Sequence, residues 1–187
     1  MLDACVLVPA SLRNLLLSCA DAKAFRPVWQ KEIEDEVRRT RIRLFVKGGM
    51  ATRDAQSAVR HTLTQMNMAF PDASLHGNSW RPRVTAMTND PKDRHVLAAA
   101  VGAQATHLVT VNLKDFPPSS VPPGITVMHP DEFLTMLLDS DPARVVGAVR
   151  VMCDRQKAPP TTIEGLCARL IAGVVPTFGS SLLAEVS

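Results

Sequence analysis

Residues 89–117 read NDPKDRHVLAAAVGAQATHLVTVNLKDFP, and the interpretation of this 187-residue chain turns on them. After Asp90 and Pro91, residues 92–103 carry Ala98, Ala99, Ala100 and Ala103, all strong helix formers. Val96, Leu97, Ala100 and Val101 recur at helical spacing, so one face packs inward and Asp93 stands on the first turn beside that face. Residues 104–106 end the helix, and residues 107–111, HLVTV, are predicted to be a short buried strand. Asn112, Leu113, Lys114 and Asp115 follow at once, ahead of Phe116 and the Pro117-Pro118 breaker. A helix feeding a buried strand whose C-terminal end is polar is half of an α/β unit, and that edge of an open sheet is where ligands bind. The stretch therefore offers two candidate groups for one site, Asp93 and the pair Asn112 and Asp115.

The start of the chain offers a third group. Residues 2–8, LDACVLV, read as an apolar strand with one acid near its beginning. A carboxylate buried there is costly unless a cation or hydrogen bonds compensate it. The residues alone allow two readings of Asp3: an exposed group at the end of the chain, or a compensated member of a site.

Composition narrows the function classes. Apolar residues make up 46% of the chain, enough for a core, and the net charge of +3 is compatible with a polyanionic partner without naming one. Cys5, Cys19, Cys153 and Cys167 form no Cys-x-x-Cys pair and read as structural thiols. No apolar run approaches the ~20 residues of a membrane span, and no basic leader precedes an apolar core, so a cytoplasmic, membrane-free protein is expected.

Outward from the central stretch, Pro9 ends the first strand and Leu12, Leu15, Leu16 and Cys19 mark an amphipathic helix with Ser11 as its candidate cap. A second helix is predicted over residues 28–47, with Trp29, Ile33 and Val37 on its buried seam. Glu36 and Glu32 border that seam. Arg38, Arg39, Arg41, Arg43 and Lys47 follow, either a solvated face or a phosphate-binding surface. Gly48-Gly49 precedes a third helix over residues 51–69. Residues 71–88 read as a loop containing Gly77, Asn78, Trp80 and Pro82; His61 and His76 are read as surface residues. Trp80 is either a partly buried packing residue or a stacking surface for a base. Residues 125–129 are expected to form another strand, Pro130 opens a helix over 131–138, and two or three further helices are expected after it, over 143–155 and 163–172, with a short tail at 178–186 beyond Pro176.

The order DACVL, then Glu36, then DPKDRHVLAAA, then HLVTVNLKDFP resembles the PIN-domain ribonucleases, in particular the VapC-type toxins of toxin–antitoxin pairs. The resemblance covers residues 1–138. It implies an α/β, PIN-like three-layer fold with a central, mostly parallel sheet, followed by a helical extension over 139–187. The family's acidic positions fall on Asp3, Glu36, Asp93 and the Asn112/Asp115 pair, with Glu32 as the alternative to Glu36. Cys5 stands where the family often has Asn, and the last acidic position is split between two residues. The resemblance further implies Mg²⁺ or Mn²⁺ held by Asp3, Glu36 and Asp93, an RNA substrate, a cognate antitoxin and a possible homodimer.

Those residue types suit phosphodiester hydrolysis. Hard oxygen ligands hold Mg²⁺ or Mn²⁺, which lowers the pKa of bound water and neutralises phosphate charge. Asp3, Glu36, Asp93 and Asp115 supply the oxygens, while Thr110, Asn112, Arg38 and Arg39 are the candidates for positioning substrate. A phosphoacceptor module lacks its acidic pair, a haloacid-type phosphatase its Asp-x-Asp, and a dinucleotide-binding domain its Gly-x-Gly-x-x-Gly. The remaining alternative is a weakly active or inactive PIN-like module that works through protein partners.

Overall fold

Leu2 is extended and bridges Val109 in parallel. Its N–H donates to the Val28 carbonyl, the Asp3 N–H donates to the Val109 carbonyl and the Val109 N–H to the Met1 carbonyl, so the first three residues lie between the segments at Val28 and Val109. The extended stretch ends there. Asp3 (φ −76°, ψ 159°) caps a short helix, α1 (Ala4–Leu7), and this replaces the strand expected over residues 2–8. The physical reason is the cap: the Asp3 carboxylate accepts from the Ala4 N–H, and Ala4, Val6 and Leu7 are then buried as a helical turn. These features belong to a computed structural model that describes residues 1–75, 77, 80–156 and 161–186. The readings of His76 and Asn78 lie outside the described residues.

The chain divides into two compact units, one formed by Met1–Pro9 and Pro27–Val127, the other by Ala10–Arg26 and Met128–Ser187. Helix α2 (Ala10–Asp21) belongs to the second. In the first unit, β1 (Trp29–Gln30) precedes α3 (Lys31–Lys47), so the helix begins three residues later than its periodicity predicts. The backbone of Val28 and Trp29 is committed to Leu2 and Ala73, which excludes helical bonding there. Ile33 and Val37 on α3 are fully buried, and α3 packs on α4 (Thr52–Ala69). Next, β2 (Ser74–Leu75) runs parallel to β1. A 3₁₀ turn, Arg81–Ala86, then packs against α5 (Arg94–Gly102). Ser74–Leu75 and Arg81–Ala86 thus take regular structure where a loop was predicted. Trp80 is buried rather than presented to a base, and Gly102 makes room for it: a Cβ on Gly102 would lie 2.9 Å from the Trp80 Cβ.

Strand β3 (His107–Val109) pairs with β4 (Thr126–Met128), which leads the chain out of this unit. The result is the expected mixed α/β arrangement, with mostly helices around a small parallel sheet. β3 ends two residues short of prediction because the Asn112 N–H turns back onto the Thr110 hydroxyl.

The second unit is helical: α2 with α6 (Pro130–Ser140), α7 (Pro142–Arg155), α8 (Ile163–Ile171) and α9 (Pro176–Val186). Phe25 meets Phe133 edge-on at 5.0 Å, and Phe178 is fully buried. Asp131 accepts from the N–H groups of Thr177 and Phe178 at 3.1 and 2.8 Å, which satisfies the open end of α9. Thr162 caps α8 as the sequence predicts.

Candidate active site

Asp3 is 6% exposed, which rules out the reading of an exposed group at the end of the chain. One carboxylate oxygen accepts from the Ala4 N–H at 2.7 Å; the other accepts from the Thr110 hydroxyl at 2.7 Å and from the Cys5 thiol at 3.1 Å. Hydrogen bonds rather than a cation compensate its burial. Thr110, itself fully buried, also accepts from the Asn112 N–H at 3.1 Å, so its hydroxyl is committed to holding Asp3 and the following loop. Cys5 completes the joint, accepting from the Val111 N–H at 3.3 Å. Burial, with the nearby Asp3 charge, pushes the Cys5 thiol up to about 12. The thiol therefore stays protonated and acts as a hydrogen-bonding spacer.

Asp93 occupies the N-cap position of α5 (φ −108°, ψ 2°), yet its side chain makes no cap hydrogen bond. The carboxylate faces a cleft of about 580 Å³ that Glu36, Asn112, Arg39, Lys92 and His95 also line. Burial first, then the charge of Asp3, raises Asp93 to about 6, against the opposing pull of Lys92. Glu36 is raised for the same two reasons, with His95, Arg39 and Lys92 opposing. Burial is the larger cause at both carboxyls, and the charge of Asp3 adds to it.

The other predicted residues divide. Asp115, buried on the 3₁₀ turn Leu113–Asp115, places its carboxylate 3.7 Å from the Lys92 ammonium, while Asn112 is exposed and lines the cleft itself. Arg39 opens onto the cleft. Arg38 is paired with Asp35, and Arg41 is buried, bonded to the Val8 carbonyl and lying over the Phe45 ring. Glu32 lines the cleft but is paired with Arg81 at 2.6 Å; Glu34 is buried and bonded to Trp29 and Ser74.

Three groups near these acids were not singled out in the sequence: Cys5 as a hydrogen-bonding partner, Lys92 and His95. Lys92 carried a signal, since it sits between Asp90 and Asp93. Its ammonium lies 3.7 to 4.0 Å from the carboxylates of Asp90, Asp93 and Asp115, and these acids raise its pKa, Asp115 most. Among the described residues, no three His, Cys, Asp or Glu side chains are gathered closely enough to hold one metal ion. The cluster nevertheless takes a cation, namely Lys92, and its donors are hard oxygens. In charge and donor type the set fits Mg²⁺ or Mn²⁺.

No helix among the described residues is long and apolar enough to cross a membrane. The PIN domain family matches residues 1–114, and the VapC50 C-terminal domain matches residues 130–184. A Mycobacterium tuberculosis protein named "Putative ribonuclease VapC50" is 41% identical over 98 residues, covering 52% of this chain and 57% of that protein. The chain thus aligns with a little over half the length of that relative. No solved structure matches. With residues 1–114 matched by its model, the chain belongs to the PIN-domain family.

Proposed function

We propose that the chain is a metal-dependent endoribonuclease, the toxin of a toxin–antitoxin pair, with residues 1–138 as the nuclease domain and 139–187 as a helical extension. The observation that carries this reading is the state of Asp93. It stands at a helix start without capping it, and is raised to about 6 beside Asp3 and Glu36 in a cleft open to Arg39. Asp3, Glu36 and Asp93 would hold Mg²⁺ or Mn²⁺, with Asp115 or Asn112 completing the set. The ion, when bound, would supply an activated water and neutralise phosphate charge. The chain's own residues do the rest. Thr110 and Cys5 hold Asp3 in place, and Arg39 attracts the phosphate backbone, with Arg38 beside it on the same helix.

The toxin role in the cytosol rests on the VapC-like family. A cognate antitoxin would inhibit by presenting a cation to the same acids, and the chain could pair with itself. A second reading, a weakly active or inactive module that works through partners, draws on Lys92, which already neutralises part of the acidic cluster. Expression of the chain alone and with its neighbouring reading frame separates the two. The toxin reading predicts arrested growth and RNA decay, relieved by the neighbour and by Asp93→Asn. Harmless expression, indifferent to Asp93→Asn, would favour the inactive module.

A further inference from the structure

Helix α3 divides its charges by sign. Glu32, Glu34, Asp35 and Glu36 stand in its first half, and no acid follows until Asp54; Arg38, Arg39, Arg41, Arg43 and Lys47 fill its second half. At 3.6 residues per turn, the α3 residues that line the cleft, Glu32, Asp35, Glu36 and Arg39, fall within an arc of about 100°. Arg43 falls inside that arc, and Lys47 about 20° beyond its edge. Arg39, Arg43 and Lys47 thus make one row, each about 6 Å further along the helix from the cleft. All three are exposed. Arg38 and Arg41 lie off the row, the first paired with Asp35 and the second buried against the Val8 carbonyl.

Among the described residues, neither Arg43 nor Lys47 pairs with a carboxylate. Charges that only solvate or stabilise a helix face alternate in sign and pair at i, i+4. Here they are segregated. The helix dipole accounts for Lys47 in the last turn, but its pull does not extend back to Arg43 and Arg39. Within the cleft the carboxylates repel a phosphate chain, and the Lys92 ammonium is drawn between Asp93 and Asp115. Attraction for a polyanion has to come from cations outside the acids, and the row begins at the cleft and leads away from it. One row serves one backbone, which fits a single strand. It holds no aromatic side chain on which a base could stack, so it reads phosphates and not sequence.

Resting on the nuclease reading, we propose that Arg39, Arg43 and Lys47 form a phosphate track along α3 that holds the single-stranded flank of the RNA on one side of the cleft.

The test measures binding of labelled single-stranded RNA in chelator, and cleavage separately with Mg²⁺ or Mn²⁺. From a core of a few nucleotides, one series of oligonucleotides grows at its 5′ end and a second at its 3′ end. For the wild-type chain, affinity should rise over the first few added nucleotides in one series only, whatever their sequence, and then level off. Arg43→Ala combined with Lys47→Ala keeps good helix formers on α3 and should abolish the rise. On the longest RNA it should lower the slope of log affinity against log salt by about one to two units, while the core binds as it does to wild type. Arg43→Lys with Lys47→Arg preserves both charges and should keep the rise, as should Arg60→Ala, which removes an exposed cation of α4. The inference is overturned if the charge-removing pair binds every length as wild type does, if it weakens core and longest RNA alike, or if Arg60→Ala removes the rise equally. The binding arm needs no turnover. A rise that depends on Arg43 and Lys47 without any cleavage would refute the nuclease reading and leave the track standing, whereas cleavage without such a rise would overturn the track alone.

Discussion

Replacing Asp93 by Asn should make the metal-free protein more stable at neutral pH while removing its activity. The folded carboxyl is raised from 3.8 to about 6 by burial and by Asp3. A group whose folded pKa is raised contributes stability that is fully present below its unfolded value and is lost as pH rises through the folded one. At pH 7.5 the charged Asp93 is therefore a penalty. The full shift corresponds to a ceiling of about 3 kcal/mol. The side chain is 19% exposed in an open cleft, and solvent screening there reduces the figure to about 1 kcal/mol. For a chain of this length that is roughly 2–4 °C in melting temperature. Asn retains any capping ability, so helix α5 should persist. The assay is thermal denaturation of both proteins in chelator from pH 4 to 8. The variant should melt higher at pH 7.5, and the gap should close as pH falls through 6 towards 4. A variant that melts lower at pH 7.5, with a gap independent of pH, would refute the reasoning and make Asp93 a structural cap.

Three further outcomes follow from the same geometry. Thr110→Val removes the hydroxyl that holds buried Asp3 at 2.7 Å; it should cost about 1–3 kcal/mol in urea denaturation and reduce RNA cleavage. Arg39→Ala should lower the slope of log RNA affinity against log salt by about one unit, whereas Arg41→Ala should leave the slope alone and destabilise the fold, because Arg41 is buried on Val8 and Phe45. Lys92→Ala removes the ammonium that sits between Asp93 and Asp115, and calorimetry should show tighter Mn²⁺ binding than in wild type.

Much of this was legible in the central stretch because its determinants are local. Helix α5 follows from a run of Ala and Val at helical spacing, and Asp93 is fixed at its start whatever else surrounds it. The first strand was misread for the converse reason. A short apolar run such as residues 2–8 suits a buried strand and a buried helical turn equally, and the Asp3 cap that decides between them leaves no periodic trace. The true start of α3 depended on Ala73, far along the chain, holding the backbone of Trp29. The role of Cys5 depended on Thr110, 105 residues away. His95 was hidden by its own neighbourhood, reading as one more polar residue in a helix start until the fold set it in the cleft.

The measurement closest to the central claim is cleavage of single-stranded RNA by the purified chain with Mg²⁺ or Mn²⁺, run beside a chelator control and the Asp3→Asn and Asp93→Asn variants. The account predicts internal cleavage by the wild type that stops in chelator and is lost in both variants while RNA binding persists. Cleavage that continues in chelator and in both variants, or its absence from the folded wild type with either metal, would contradict it.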